Sequence, residues 1–511
     1  LVDDHPGSTS VADPIRGASV VIPNPSPAPA RLRTLGRTVG VMALTAFIAA
    51  GALLGGASAA TAADTETYVI GTDTTFAPFE FTDENGDLVG IDMDLLRAIA
   101  KDQGFEVEIR QLGFDAAVQA LQANQVDAVM AGMSITEERE KTFDFSEPYF
   151  TSGIQLGVLE TSDIQSLDDL DGEAVAVKTG TQGQTFAEEN QEKYGFRVTP
   201  YQDTTDMVDA VKAGQAVGYF EDFPVLAYGI QQGSGFRLIG EPELGGEYGF
   251  AVNKGQNPEL IEMFNAGLEN LQASGDYDKI VDTYLAGGEV SAQATDIFSV
   301  AVKYWPALME GLWLTILATI VAIVAAFILG LIFGFGRVSA FAPFRWLATA
   351  YVYVFRGTPI LVQAFFVFFA IPQLFPGLTF NPFVAGAITL SLNTGAYMTE
   401  IIRGGIQAVD PGQSEASRSL GLGHWKTMQK VVLPQAFRIM IPSFVNQGII
   451  TLKDTSLISV IGLAELTFVS RQIIASTYLS AQVLTIVAVI YFVVITLLTL
   501  LANRLERKFN A

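Results

Sequence analysis

The 511 residues carry 54 acidic against 30 basic side chains, a formal net charge of −24, yet half of them are hydrophobic and the mean hydropathy is +0.34. A single soluble domain is usually about 100–200 residues, so two or three units are expected. The absence of cysteine and the presence of only two histidines, His5 and His424, exclude disulfides, thiolate chemistry, Cys-ligated metals and a His-rich metal site.

Charge and hydropathy divide along the chain. Residues 64–295 hold 12 Lys+Arg against 43 Asp+Glu, a net of −31, whereas residues 296–511 hold 14 against 8, a net of +6. An acidic soluble body is therefore joined to a weakly basic, very apolar tail. The acidic balance argues against nucleic acid as a partner, because a phosphate backbone calls for compensating cations.

Residues 1–30 are rich in Pro, Ser and Ala and read as disordered. Arg31, Arg33 and Arg37 then precede an apolar run ending in small residues at 57–63. Residues 31–63 thus read as a signal peptide cleaved after Ala63 or as a signal anchor left in place. Either delivers residue 64 onward to the outside of the membrane.

From 64 to 288 short β-rich runs alternate with helical patterns, as in 68–73, 92–104, 106–112, 116–125 and 126–132. That is the pattern of parallel strands linked by helices, an α/β architecture. A second section begins after Tyr149 and looks inserted into the first. Lobe 1 is expected over 66–154 and 250–288, and lobe 2 over 158–246. The chain then crosses between lobes near 154–159 and 246–251, leaving a hinge and a cleft for a small molecule.

A linker follows at 289–302, and 303–509 carries five long apolar runs, at 313–335, 347–371, 382–402, 439–463 and 478–503. Arg356-Gly357-Thr358-Pro359 interrupts the second, implying a kink. Five spans that start outside end inside. The positive-inside rule agrees: the inner segments hold Arg337, Arg345, Arg403, Arg418, Lys426, Lys430, Arg438, Arg504, Arg507 and Lys508, whereas the outer segments between spans hold only Arg471. Arg356, Glu400, Lys453 and Asp454 lie in or beside spans, where ionisable residues normally face a cavity or a partner, so they are candidates for a translocation path.

The longest inner stretch, 403–438, is patterned. Asp410-Pro411-Gly412-Gln413 is a helix start, Gly421 and Gly423 break the helix, and a second short helix over His424 to Val432 is expected to end before Pro434. Its spacing resembles the EAA loop of ABC-importer permeases, EAA-x3-G-x9-I-x-L-P, through Glu415-Ala416-Ser417, Gly421, Val431, Leu433 and Pro434. Ser417 and Val431 are conservative departures. FRGTP (355–359) and KDTSLIS (453–459) are similar to polar amino-acid permeases. The resemblance implies that 410–434 forms coupling helices for a dimer of cytoplasmic ABC ATPase subunits, which use ATP and Mg. This chain has no GxxxxGK[ST] sequence, so it binds neither cofactor itself and is not the ATPase. A five-helix permease is too small to enclose a gated path alone, so a second permease copy is expected, an identical one first.

A free amino acid in the cleft needs a cation for its carboxylate and an anion for its ammonium. Arg139, following a strand that ends in glycine, can hold a carboxylate bidentately, helped by the Gly132 carbonyl and Ser134. Asp222 is placed to take the ammonium, and Phe76 and Phe114 to sandwich the aliphatic part. Core packing for Phe76 and a surface ion pair for Arg139 are the alternatives. The lobes resemble the amino-acid-binding proteins of bacterial importers, the glutamine-binding type above all. That resemblance implies roles for Asp73, Lys178 and Thr181 as well, although Asp73 also suits a turn cap. One departure is Glu221, which stands where that type has histidine.

Asp73 and Lys178 would offer an acceptor and a donor to a side-chain carboxamide. Glutamine is the first expectation, asparagine or glutamate next, and Glu221 leaves room for a cationic amino acid. The implied setting is a multi-pass protein of a bacterial cytoplasmic (inner) membrane, in contact with lipid, with the binding domain extracellular or periplasmic and the C-terminus inside. The whole is an α/β bilobed domain of the type II binding-protein kind fused to an all-α five-helix permease. An amino-acid-gated channel or receptor is the alternative. It calls for a selectivity sequence such as TVGYG or a cytoplasmic signalling domain, and the sequence shows neither.

Overall fold

A computed structural model describes residues 66–510 apart from 84, 286–295 and 376–377. The expected segments 1–30 and 31–63, and the first part of the 289–302 linker, lie outside the described residues.

Lobe 1 opens with β1 (Thr67–Thr72), β2 (Thr75–Phe76), β3 (Glu80–Thr82) and β4 (Leu88–Val89). It continues with α1 (Ile91–Gln103), β5 (Glu106–Gln111), α2 (Phe114–Gln122), β6 (Ala128–Val129) and β7 (Phe143–Phe145). Strand β8 (Phe150–Leu159) carries the chain into lobe 2, built from β9 (Ala174–Lys178), α3 (Gln182–Tyr194), β10 (Arg197–Tyr201), α4 (Thr204–Lys212), β11 (Gly218–Asp222) and α5 (Phe223–Gln231). Strand β12 (Phe236–Tyr248) brings it back, and β13 (Ala251–Asn253), α6 (Pro258–Ser274) and α7 (Asp276–Leu285) complete lobe 1.

The two main sheets have the orders β5-β1-β6-β13-β7 and β10-β9-β11-β8-β12. Strand β1 runs parallel to β5 and β6, and β9 parallel to β10 and β11, as the alternating pattern predicts. One strand in each sheet departs: β13 and β8 are antiparallel to both their neighbours. Each is a strand through which the chain enters from the opposite lobe, so its direction is set by the crossing. The crossing pairs Thr151 with Glu247 and Ser152 with Gly246, while Ile154 to Val158 already belong to the lobe 2 sheet beside β11. The first hinge segment therefore lies a few residues earlier than the sequence predicts.

Local chemistry explains the elements. Helix α1 buries Ile91, Leu95, Leu96 and Ile99 on one stripe. It carries Asp92 and Asp94 in its first turn, Lys101 in its last, and ends on Gly104 at φ 78°.

The helical part contains α8 (Ile297–Lys303), α9 (Trp305–Val338) and α10 (Ala342–Gly357), then α11 (Ile360–Phe365), which passes through a π turn into α12 (Ile371–Leu374). There follow α13 (Pro382–Gln407), α14 (Pro411–Ser419), α15 (His424–Thr427), α16 (Leu433–Ile458), α17 (Leu466–Thr477) and α18 (Ser480–Asn510). Among the described residues α9 and α18 are each long and apolar enough to cross a membrane. Two further pairs of helices pass that test together but are bent, by 108° between 357 and 360 and by 50° between 461 and 466. The first bend is the break expected at Gly357–Pro359, and it is far sharper than a kink.

Helix α9 places Ala318, Ala322, Ala326, Gly330 and Gly334 on one buried row. Small residues at this spacing let backbones approach, and a Cβ added at Gly330 would stand 2.7 Å from that of Met398 on α13. Its opposite face exposes Trp313, Ile320, Val324 and Ile328, as a lipid-facing surface does.

One expectation at the inner side is corrected. The chain does not stop before Pro434: α15 runs through a π turn at Met428–Val432 directly into α16, with Pro434 in the first turn of α16. Proline lacks an N–H and crowds the carbonyl four residues back, and the widened turn accommodates both.

Residues from Thr65 onward form one compact unit, so the lobes are seated on the helical part. A continuous apolar cluster runs from Leu112 and Val126 of lobe 1 to Phe368, Ile461 and Leu463, and another joins Tyr219 and Leu226 of lobe 2 to Tyr478.

Candidate functional site

The cleft between the lobes holds a narrow, partly open pocket. Eight of the ten residues expected from the sequence line it. Phe76, Phe114, Gly132, Ser134 and Arg139 come from lobe 1, and Lys178, Thr181 and Asp222 from lobe 2. Asp73 and Glu221 do not; they lie behind the wall.

Strand ends and the turns after them supply these side chains. Asp73 follows β1, and its Oδ1 accepts from the amides of Thr74 and Thr75 at 2.6 and 3.0 Å, the turn cap that its position allows. Its Oδ2 accepts from Lys178 Nζ at 2.8 Å, with the side chains only 1% and 2% exposed. The two groups expected to face a ligand separately are thus paired with each other. Burial alone would lower the Lys178 pKa, but Asp73 and Glu221 outweigh it and hold the amine charged above its usual range. The amine also lies 4.6 Å from the centre of the Phe76 ring.

Glu221, next to last in β11, is buried against Thr204, whose Oγ1 donates to Oε2 at 3.0 Å. Burial pushes its carboxyl up to about 7 against the pull of Lys178, so about half of it is protonated near pH 7. Asp222 is raised by burial as well. Thr181 caps α3 and donates to the Lys178 carbonyl at 2.7 Å, which explains its place beside the cavity.

Arg139 spans the cleft. Its Nη1 donates to Ser134 O at 2.7 Å and its Nη2 to Gly180 O of lobe 2 at 2.8 Å, and its guanidinium lies 5.3 Å from the centre of the Phe114 ring. Burial lowers its pKa to about 10, opposed by Asp222, and it stays cationic. Together with Asp73–Lys178 this contact holds the lobes closed. Gly132 sits at φ 52° with no room for a side chain: a Cβ would lie 2.4 Å from the Phe76 ring.

Sequence reasoning missed Ala131 and Gln182 in the wall and a carboxyl pair behind it. Asp92 Oδ2 accepts from Gly132 N at 2.9 Å and from Tyr149 OH at 2.7 Å, and burial pushes it up to about 6. Glu80, fully buried, is raised well above the ordinary range by burial and by Asp92. Gln182 was accessible as the first residue of a helix after the Lys178–Thr181 turn; an acidic residue in an amphipathic helix gives no such signal.

At the inner face, Asp410 caps α14 by accepting from Gly412 N at 2.6 Å, and Gly421 turns the chain at φ 82°. Ser417, buried, donates to Thr427 at 3.0 Å and fastens α14 to α15. Glu415, Ala416 and Pro434 are exposed and Leu433 is half-buried. Beside them Leu420 and Trp425 stand out at 84% and 68% exposure, an apolar surface of the sort a partner covers.

Among the described residues no ion pair or hydrogen bond joins Arg356, Glu400, Lys453 and Asp454 to one another. Glu400 accepts from Arg337 at 3.0 Å and Arg403 at 2.9 Å, tying α9 to α13. Arg356 lies over the Tyr397 ring at 4.9 Å, Lys453 is exposed, and Asp454 is half-buried. A neutral polar seam stands out instead. Gln363 donates to Phe355 O and Thr358 O across the broken helix, Asn393 donates to Phe355 O and Gln363, and Thr394 bonds Thr451 at 2.9 Å.

Among the described residues no three His, Asp or Glu side chains are gathered to hold a metal. A bilobed solute-binding fold closed around a cleft lined by Arg139, Lys178 and Asp222, joined to apolar membrane helices, defines a binding-protein-dependent importer. Residues 68–287 match the bacterial extracellular solute-binding proteins, family 3, and residues 322–511 match the binding-protein-dependent transport system inner membrane component. The arginine transport system permease of Bacillus subtilis is 39% identical over 42% of this chain and 97% of its own length. The glutamine transport system permease of Escherichia coli is 40% identical over 40% of this chain and 95% of its own. A second substrate-binding domain of an amino acid ABC transporter from Streptococcus pneumoniae is 51% identical over 43% of this chain and 99% of its own, with a TM-score of 0.35.

The chain belongs to the polar amino-acid ABC-importer permeases, here fused to their solute-binding domain. It is a transport subunit in the membrane and not an enzyme. ATP and Mg are used by a separate cytoplasmic ATPase, and a second permease copy completes the path.

Proposed function

We propose that the chain binds glutamine outside the membrane and passes it inward, with asparagine and glutamate as weaker substrates. One observation carries this: Lys178 is already paired with Asp73 at 2.8 Å, and Glu221, raised to about 7, is about half protonated at pH 7. The side-chain end of the cavity is then close to neutral and polar, which suits a carboxamide. A cationic side chain would find Asp73 already engaged by Lys178 and only the ionised fraction of Glu221 to pair with. Arg139 would take the α-carboxylate, Asp222 the ammonium, and Phe76 and Phe114 the methylenes between them, with Gly132, Ser134 and Thr181 shaping the pocket. Relatives named for glutamine transport support the reading; one named for arginine supports the rival that an ionised Glu221 would favour.

The proposal includes five spans, the second of them broken, beginning outside and ending inside, and a binding domain over 64–288 with its permease over 303–509. Residues 410–434, with Glu415, Ala416, Gly421, Leu433 and Pro434, receive the ATPase, and exposed Leu420 and Trp425 extend that surface. Two identical copies form the path, with Arg356, Lys453 and Asp454 beside it. Calorimetry of the purified full chain against the twenty amino acids tests the substrate. Glutamine should bind most tightly at pH 7. Arginine in first place would replace the specificity, and no heat with any of them would remove the function.

A further inference from the structure

Two carboxyl groups are buried behind the cleft wall without lining the pocket. Glu80 on β3 and Asp92 in the first turn of α1 are both 0% exposed. Asp92 Oδ2 is well supplied, accepting from Gly132 N at 2.9 Å and from Tyr149 OH at 2.7 Å. Among the described residues neither oxygen of Glu80 accepts from an N–H or a hydroxyl, nor does Asp92 Oδ1. The two carboxyls lie within hydrogen-bonding reach of each other.

An ionised carboxylate only accepts, so two ionised groups here would strand three buried oxygens and hold like charges together. Among the described residues the cation acting on Glu80 is Lys178, and its amine is taken up by Asp73 at 2.8 Å. The other titratable groups around the pair, Asp73, Tyr149, Tyr248 and Tyr277, are acids and supply no positive charge. A single proton resolves the cluster. Carried by Glu80, it is donated to Asp92 Oδ1, and Asp92 keeps the charge because its other oxygen already holds two donors. Burial raises both groups, and the donors on Asp92 Oδ2 restrain the rise there.

The pair sits between two parts that binding must hold together. Glu80 stands opposite Phe76 in the β2–β3 pairing, and the Gly132 turn is pressed against the Phe76 ring. Asp92 N donates to Phe79 O at 2.9 Å, so the backbone of α1 is tied to the same turn. Tyr149 lies directly before β8, where the chain leaves lobe 1, and its N–H donates to Tyr248 O of the returning strand at 2.9 Å. One carboxylate oxygen of Asp92 thus fastens the cleft wall at Gly132 to the entrance of the hinge at Tyr149. A proton from Glu80 to the other oxygen fixes which way that carboxylate faces.

Building on the reading of the cleft as an amino-acid site, we propose that Glu80 is a protonated positioning residue. It donates a hydrogen bond to Asp92, and the acid–carboxylate pair holds the Gly132 wall and the Tyr149 hinge segment in the arrangement that binds the amino acid.

The full chain in lipid nanodiscs is compared with its Glu80→Gln, Glu80→Leu and Asp92→Asn variants. Infrared difference spectra are taken at pH 8.5, where Glu221, titrating near 7, is ionised. Parent minus Glu80→Gln should show the carbonyl stretch of one buried protonated carboxylic acid, and that band should shift in Asp92→Asn, whose amide is a weaker acceptor. Calorimetry with L-glutamine and, in parallel, L-arginine reads the consequence for binding. Glu80→Leu, which cannot donate, should weaken binding by about tenfold, and Glu80→Gln, whose amide still donates to Asp92, should recover most of that loss. Absence of the acid band, or equal affinities of Glu80→Gln and Glu80→Leu, would overturn the proposal. The infrared comparison needs only Glu80→Gln and Asp92→Asn, so it decides the proton even if Glu80→Leu does not fold. A parent that binds arginine and not glutamine would instead replace the substrate reading, and the same comparisons would still decide the role of Glu80.

Discussion

The cleft and the helical bundle bury polar groups in opposite ways. The cleft concentrates full charges: Lys178 on Asp73, Arg139 across to lobe 2, with Glu221, Asp222, Asp92 and Glu80 behind or beside them. The bundle pairs Arg337–Glu400–Arg403 and joins the region of its broken helix with uncharged amides and hydroxyls at Gln363, Asn393, Thr394 and Thr451. Water reaches the cleft when it opens, so charge there can be used to select a ligand. In a bilayer a charge has no such exchange, and neutral groups satisfy the broken backbone at lower cost.

The contrast breaks most sharply at the buried ion pair. Lys178→Met leaves Asp73 charged in a nearly closed site, a change expected to cost about 3–5 kcal/mol. Calorimetric unfolding of the full chain should show the binding-domain transition shifted well down, and glutamine binding lost. Asp73→Asn in the same chain should recover most of the stability and none of the binding. Equal stability of the single and double variants would show that the pair does not bear on folding.

Acidity probes the same region next. Asp92 is held near 6 by burial, about 2 units above an unfolded aspartate. The native state therefore binds more protons than the unfolded chain between about pH 4 and 6, and stability falls as pH rises through that window. The binding-domain transition should be higher at pH 5 than at pH 7.5, by about 1.4 kcal/mol from Asp92 alone, and Glu221 near 7 extends the window upward. Asp92→Asn and Glu221→Gln should flatten the profile. A parent profile that rises with pH would mean these carboxyls are not buried as described.

How much was legible follows from the same contrast. Arg139, Phe76, Phe114 and Asp222 could be placed because charged or aromatic residues at strand ends of a two-lobed α/β pattern have few other uses. Asp73 and Lys178 were found, but not their mutual pairing, since sequence order places them on different lobes and says nothing of a closed state. The reversal of β8 and β13 was hidden for a similar reason: periodicity gives a strand its faces, not its direction. Arg471 was visible only as a breach of the positive-inside pattern, and its partner Asp203 lies 268 residues away. Asn393 and Gln363 gave no signal, because a lone amide in an apolar run reads as tolerated packing.

That seam gives the smallest expected effect and the finest test of the contrast. Asn393→Ala removes two hydrogen bonds, to Phe355 O and to Gln363, but Gln363 still donates to the same carbonyl at 2.9 Å, so no backbone group is stranded. Interhelical hydrogen bonds in membranes contribute about 0.6 kcal/mol on average, so the loss should be about 1 kcal/mol. For a helical domain of roughly this size that is about 2–4 °C in its unfolding transition. Glutamine binding by the lobes should be unchanged, because the seam lies among the spans and holds none of the cleft. Glutamine uptake should fall, since the bonds lost are those that set the angle of the broken helix between Gly357 and Ile360. A change in binding with uptake intact would mean that the two regions are not divided between selection and passage as their chemistry indicates.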